Sequence, residues 1–237
     1  MLIREGVERN QSIDLRLASL LGCVAGAMNA AAFFAVGFFS ANMTGNVSTL
    51  SERIASGEYA SATFYASVLL AFIIGSMLSS SVITAGRRLT RKIYAYALVM
   101  ESCFIALVGG SDLWVHKDWR VPVIVLGLAF AMGFQNATGT LISSARIRTT
   151  HVSGLITDIG IGISSLLSRK GEKPFNAENL QLQLVTVVSF LAGGVIGVIL
   201  YRMMGGYLQL LTALALLTLS LQTIANPDAL PRESTGA

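Results

Sequence analysis

Charged residues are scarce in this sequence, and their scarcity excludes an ordinary soluble domain. Only 13% of the 237 residues are charged, whereas a soluble domain carries about a quarter. Apolar residues make up 53%, and the mean hydropathy is +0.65. We therefore expect an integral membrane protein, all-helical because its apolar runs are long, with the lipid bilayer as its first partner.

Cysteine and histidine are also rare, with two of each. Cys23 and Cys103 lie far apart in separate apolar segments, which argues against a disulfide framework and against a zinc site. The sequence contains no His-Glu-x-x-His and no Gly-x-Ser-x-Gly motif, the signatures of two large hydrolase classes. We expect no metal, no other cofactor and no enzymatic activity.

The net charge of +4 raises the question of nucleic-acid binding. Proteins that bind nucleic acids cluster their basic residues on one face, often beside aromatic side chains. Here the lysines and arginines gather between apolar segments instead, the arrangement that orients membrane proteins. We therefore expect no nucleic-acid partner.

Long apolar runs are abundant, and each predicts a membrane-spanning helix, which needs about 20 residues. Both tryptophans fall at 111–120 between two runs, which favours an external loop at the membrane interface. The predicted spans are 15–39, 63–85, 93–110, 121–143, 180–201 and 205–224. They divide the chain into a loosely ordered cytoplasmic tail at 1–14, membrane repeats at 15–110 and 121–224, and a cytoplasmic tail at 225–237.

Two segments interrupt this pattern with polar, helix-breaking residues. The first, 42–56, begins Asn-Met-Thr-Gly-Asn directly after an apolar run, and the second, 149–167, begins Thr-Thr-His-Val-Ser-Gly in the same position of the second half. Both suit short broken or re-entrant helices, and the sequence leaves open whether they dip into the bilayer or cross it.

The two halves also match residue by residue, which predicts an internal repeat. The matching pairs are Gly26 with Gly133, Asn29 with Asn136, Ala30 with Ala137, Thr44 with Ser153, Gly45 with Gly154, Phe72 with Phe190, and Gly75 with Gly193. Three spans per unit would turn the second unit upside down relative to the first. Inverted repeats of this kind are typical of secondary transporters, whose sites form where broken helices meet near the midplane.

The basic residues predict the orientation of such a six-span protein. Arg53, Lys117, Arg120 and Arg202 fall on one side, and the other 13 of the 17 lysines and arginines fall on the side of both termini. Basic loops stay in the cytoplasm. We therefore expect both termini inside a bacterial inner membrane. If both broken segments crossed instead, this bias would nearly vanish.

Polar residues beside the two breaks form the predicted substrate site, because helix starts offer free N–H groups and a favourable dipole. They are Asn29, Asn42, Thr44, Gly45, Asn46, Gln135, Asn136, Ser153 and Gly154. Such a site suits a small neutral polar or anionic solute. The alternative is that these side chains only cap half-helices and join helices by hydrogen bonds.

Three ionisable residues at membrane depth are candidates for proton-linked roles. Glu101 lies in the middle of a span, where a charged carboxylate is costly. His151 and Asp158 lie two turns apart if their segment is helical. The alternative for His151 is a place in the cytoplasmic headgroup zone with Arg146 and Arg148.

At 37–46, 133–137 and 149–154 the sequence resembles the YoaK-like family of uncharacterised bacterial multi-pass inner-membrane proteins, over about 16–224. The resemblance implies a bacterial inner-membrane protein of unknown function. The family often has aspartate in place of Asn29 and threonine in place of Ser153. The first departure removes a carboxylate on which proton or cation coupling could have depended.

Together these features predict a transporter or channel-like permease that binds its solute near the bilayer midplane. The alternative is a non-transporting membrane module that binds lipid or a partner protein. Whether the chain forms a homo-oligomer is left open.

Overall fold

Apolar helices dominate the structure, a computed structural model that describes residues 2–3, 5, 9–167 and 176–225. Every regular element in these residues is an α-helix. The helices are α1 (Gln11–Val36), α2 (Met43–Ala55), α3 (Tyr59–Gly86), α4 (Ile93–Trp114), α5 (Lys117–Ile142), α6 (Val152–Leu167), α7 (Ala177–Met204) and α8 (Tyr207–Ala225). All except α2 and α6 are long and apolar enough to cross a membrane, which confirms the predicted six spans.

The start of α1 and the end of α4 differ from the sequence-based boundaries. α1 begins at Gln11, where the Asn10 side chain accepts a hydrogen bond from Ile13 N at 2.9 Å. Leu2 and Arg9 in the predicted loose tail are buried against the bundle. The predicted loop at 111–120 is largely helical, with only Val115 and His116 between α4 and α5.

Two charged residues of the segment 111–120 pair with each other where α5 meets α4. Arg120 donates to Asp112 at 2.8 Å, and the Tyr201 hydroxyl donates to the other oxygen of the same carboxylate at 2.6 Å. Polar groups satisfied in this way can remain helical at a membrane end. The basic loop expected after α6 and the tail expected beyond Ala225 lie outside the described residues.

Helices from the two halves pack against each other through glycines. Gly26 of α1 lies against the backbone of Phe190 in α7, and Gly133 of α5 lies against the backbone of Phe72 in α3. A Cβ atom at either glycine would overlap the facing carbonyl oxygen. The reciprocal contacts are Gly193 against Cys23 and Gly75 against Phe130. Small residues allow such close approach in membrane helices.

The chain turns back into the bundle after α1. Gly37 ends that helix in the left-handed region, with φ of 77°. Ala41 N then donates to the Asn29 side chain at 2.9 Å. Asn29 precedes the end of α1 by seven residues, so the chain has returned by about 10 Å at 1.5 Å per residue. α2 therefore begins deep within the bundle.

Neither short helix is long enough to cross a bilayer. With 13 and 16 residues, α2 and α6 have lengths of about 20 and 24 Å, whereas the hydrocarbon core is about 30 Å thick. α2 packs against α3, and α6 packs against α7. Both broken segments are therefore short half-helices, each packed against one longer helix.

Candidate functional site

A cavity of about 380 Å³ lies at the starts of α2 and α6. Its lining consists of Asn29, Phe39, Ala41, Asn42, Met43, Thr44, Phe72, Asn136, Thr150, His151, Val152, Ser153 and Phe190. Both halves of the chain contribute, and Asn42, Thr44 and Ser153 are exposed at its edge. The volume lies within the range of about 300–1,000 Å³ that is usual for small-molecule sites.

Five of the nine residues predicted to bind substrate line this cavity. They are Asn29, Asn42, Thr44, Asn136 and Ser153. His151, predicted as a proton-linked residue, lines it too. The structure therefore brings together polar residues that are more than 100 positions apart in the sequence, and their substrate-binding role remains a prediction.

The other four predicted residues lie around the cavity rather than in its lining. Gln135 is fully buried and donates to the carbonyl of Leu21 at 2.7 Å, so it joins α5 to α1. Asn46 is buried, and its side-chain NH₂ lies 4.0 Å from the sulfur of Met43 in the same helix. Gly45 lies directly behind the side chain of Asn42, and Gly154 lies directly behind that of His151, in each case without room for a Cβ atom.

The start of α2 is closed by its own side chain. Asn42 accepts a hydrogen bond from Gly45 N at 3.1 Å, the usual arrangement of an N-cap. The Asn46 N–H donates to the Asn42 carbonyl at 3.0 Å. Few of the N–H groups at this helix start remain for a ligand.

The start of α6 is open. His151 occupies the position equivalent to Asn42, and its carbonyl accepts from Leu155 N at 3.1 Å. Within the described residues, the backbone N–H groups of Val152, Ser153 and Gly154 donate to no protein group. Such free N–H groups at a helix start form a ready site for an anion.

Two asparagine side chains, one from each half of the chain, line the cavity. Asn29 uses its oxygen to accept from Ala41 N, so the group it offers the cavity is its NH₂. That NH₂ has no partner in the part of the chain that the structure describes, although Asn29 is only 8% exposed. The side-chain oxygen of Asn136 is buried and has no protein partner either among those residues.

Three aromatic rings complete the lining, and the sequence-based site omitted them. Phe72 and Phe190 occupy equivalent positions of α3 and α7, and Phe39 stacks on Phe33 with ring centroids 4.2 Å apart. The repeated Phe-x-x-Gly motif contained the signal for the first two. Each phenylalanine precedes by three residues a glycine that packs on the opposite half.

A second cavity of about 430 Å³ adjoins the first at one end of the bundle. It is lined by Ala145, Arg146, Arg148, His151, Gly154, Leu155, Asp158, Asn179, Leu182 and Gln183. His151 lines both cavities and thus forms part of the wall between them. Arg146 pairs with the buried carboxylate of Asp14 at 2.7 Å, which anchors this loop to the start of α1.

The other proton-linked candidates lie away from the central cavity. Asp158 is exposed on α6 and lines the second cavity only. Glu101 is fully buried in α4, and neither carboxylate oxygen has a hydrogen-bond partner among the described residues. Those residues also contain no group of three or more His, Cys, Asp or Glu side chains that could hold a metal ion.

Residues 17–222 match the family described as "Protein of unknown function (DUF1275)". The chain belongs to the DUF1275 family. One relative is the UPF0700 transmembrane protein YoaK of Bacillus subtilis (strain 168). It is 26% identical to this chain over 184 residues, which cover 76% of this chain and 80% of that protein. No solved structure matches the chain. The resemblance to the YoaK-like family is thus confirmed, and this DUF1275 protein is a multi-pass membrane protein.

Proposed function

We propose that the protein transports a small polar or anionic solute across the bacterial inner membrane and performs no chemical reaction on it. The observation that supports this most directly is the central cavity, to which both halves contribute residues at equivalent positions. Its lining includes no Asp, Glu, Lys or Cys side chain. It therefore offers hydrogen bonds and aromatic surface, which suit binding better than catalysis.

The equivalent positions support two inverted repeats. Asn29 corresponds to Asn136, Thr44 to Ser153, and Phe72 to Phe190, and all six residues line one cavity. A two-fold axis in the membrane plane would relate α1–α4 to α5–α8 and would bring these pairs together at the centre. Transporters built in this way bind their solutes between the repeats and rock one group of helices against the other.

The glycine contacts support a division into two rocking groups. α1 packs closely on α7, and α5 packs closely on α3, each pair combining one helix from each half. Close backbone packing makes each pair a stiff unit. Movement between the pairs would then change access to the cavity that lies where they meet.

Basic residues support cytoplasmic termini. The end of the bundle that holds the start of α1 also holds Arg146, Arg148 and the α3–α4 turn with Arg87. Cytoplasmic loops carry such an excess of Lys and Arg. The Asp112–Arg120 pair then lies at the external end.

Labelling from both sides of the membrane tests transport without knowledge of the solute. In a background of Cys23→Ser and Cys103→Ser, we expect Thr44→Cys and Ser153→Cys to react with an impermeant thiol reagent from either side, because an alternating site faces each side in turn. Right-side-out and everted vesicles supply the two sides. Ser220→Cys, fully buried in α8, is the unreactive control.

Labelling of both positions from one side only would contradict alternating access. If reconstituted protein also moved no solute from a broad metabolite panel, the non-transporting module that binds lipid or a partner protein would be the better account.

A further inference from the structure

We propose that the solute is a small organic anion with an apolar body, and that its carboxylate binds at the open start of α6. This inference rests on the proposed function, because it names the chemical class that the central cavity takes. It goes beyond that function in choosing an anion over a neutral solute and one helix start over the other.

The first support is the supply of hydrogen-bond donors at α6. Val152, Ser153 and Gly154 present backbone N–H groups with no protein acceptor among the described residues. The helix adds a partial positive charge at this end, and α6 is long enough, at 16 residues, for the dipole to develop. The Ser153 hydroxyl in the cavity lining can donate as well.

A second support is independent of the helix start. Asn29, which is only 8% exposed, belongs to α1 and lines the same cavity. Because its oxygen is engaged by Ala41 N, its free NH₂ is a donor and not an acceptor. This NH₂ opens onto the cavity, so a ligand oxygen there can accept a hydrogen bond from it.

The charges near the cavity favour an anion. No carboxylate lines the central cavity, and the adjoining cavity holds the guanidinium groups of Arg146 and Arg148 beside Asp158. Arg146 is shared with Asp14, which Arg9 also contacts. Arg148 is exposed and forms no ion pair within the described residues. A cavity with this surplus of positive charge attracts anions toward the wall that contains His151.

The aromatic lining limits what kind of anion fits. Phe39, Phe72 and Phe190 give the cavity an apolar side that a phosphate or sulfate ion would leave unused. A monocarboxylate with a compact ring or short chain uses both the donors and the rings.

Benzoate and benzamide form a matched pair of probes, since they have the same shape and differ in charge. We expect the purified full-length protein in detergent to bind benzoate at least about tenfold more tightly than benzamide in equilibrium dialysis. Ser153→Asp should weaken benzoate binding by at least about tenfold, because it places a competing carboxylate on the same N–H groups. An acidic residue at a helix start favours folding, so the melting temperature should be retained.

Ser164→Asp is the control, because it adds the same charge to the same helix 11 residues farther on, about 16 Å away. Equal affinities for benzoate and benzamide would overturn the anion while leaving transport of a neutral solute intact. Benzoate binding that survives Ser153→Asp, or no benzoate binding at all, would also overturn it. If inorganic phosphate competed for the site as tightly as benzoate binds, the inference that the solute has an apolar body would be overturned. Labelling from both sides remains a separate test of transport.

Discussion

The half-helices α2 and α6 begin at the same cavity, but the hydrogen bonding at their starts differs. At α2, Asn42 caps the helix and leaves few donors free, whereas at α6 His151 occupies the equivalent position and three N–H groups remain open. Positions that match between the two halves of the sequence therefore differ in their hydrogen bonding. The start of α2 is built as support, and the start of α6 is left available to a ligand.

The loops that lead to the two half-helices also differ in length and in backbone conformation. The first, 37–42, is short and is tied to α1 through Asn29. The second, 143–151, is longer and places Ser144 and Ala145 in the left-handed region, with φ of 50° and 66°. A residue other than glycine in this left-handed conformation costs about 1–2 kcal/mol. Strain of this kind is retained mostly at functional positions.

The largest effect should come from removing the anchor that only the second loop has. Asp14 is buried and pairs with Arg9 and Arg146. We expect Asp14→Ala to lower the free energy of unfolding by about 3–5 kcal/mol, because removing one member of a buried ion pair is strongly destabilising. Denaturant unfolding in detergent measures the change.

Asp118→Ala is the matched control, because Asp118 is 83% exposed and, among the described residues, pairs with His116 at the surface. It should change stability by less than about 1 kcal/mol. If Asp14→Ala behaved like Asp118→Ala, the second loop would not depend on this ion pair.

Next in size are the glycine contacts, which should be equal in the two halves. Gly26→Ala and Gly133→Ala each place a Cβ atom on a facing carbonyl, so each should cost about 1–3 kcal/mol. Gly160→Ala is the control, because no atom lies within 4 Å of its Cβ position. Thermal unfolding of the three variants measures the effects. If one glycine change were tolerated and the other were not, the glycine contacts of the two halves would not be energetically equivalent.

Much of this fold could be predicted from the sequence because its signals are local. Apolar length defines a span, and the polar residues after α1 and α5 mark the breaks. The residue matches between the two halves of the sequence pair Asn29 with Asn136 and Thr44 with Ser153, and these four residues line one cavity. Helix boundaries near 111–120 could not be predicted, since Arg120 finds Asp112 only in the folded bundle.

Side-chain direction is what the sequence left undetermined. Gln135 and Asn136 are neighbours, so they point about 100° apart on a helix. Asn136 faces the cavity, while Gln135 faces Leu21. Glu101 was a candidate on depth alone, yet α4 packs on α5 and α8 and contributes no residue to the cavity lining. Helix neighbours follow from tertiary packing, which no local pattern contains.

The smallest effect, and the most direct test of the comparison, comes from substituting each of the two residues at the cap positions. Asn42→Ala should cost about 1 kcal/mol, because it removes the acceptor for Gly45 N. His151→Asn should instead stabilise the protein by up to about 1 kcal/mol, because an asparagine there can accept from Gly154 N as Asn42 does from Gly45 N. The same bond occupies a donor at the open start of α6, so benzoate binding should weaken in this variant while unfolding becomes harder. Unfolding in detergent and equilibrium dialysis on the same preparations measure the two quantities. Stability and binding that rise together in His151→Asn would mean that the open N–H groups of α6 are not where the anion binds, and the difference between the two half-helices would then be structural alone.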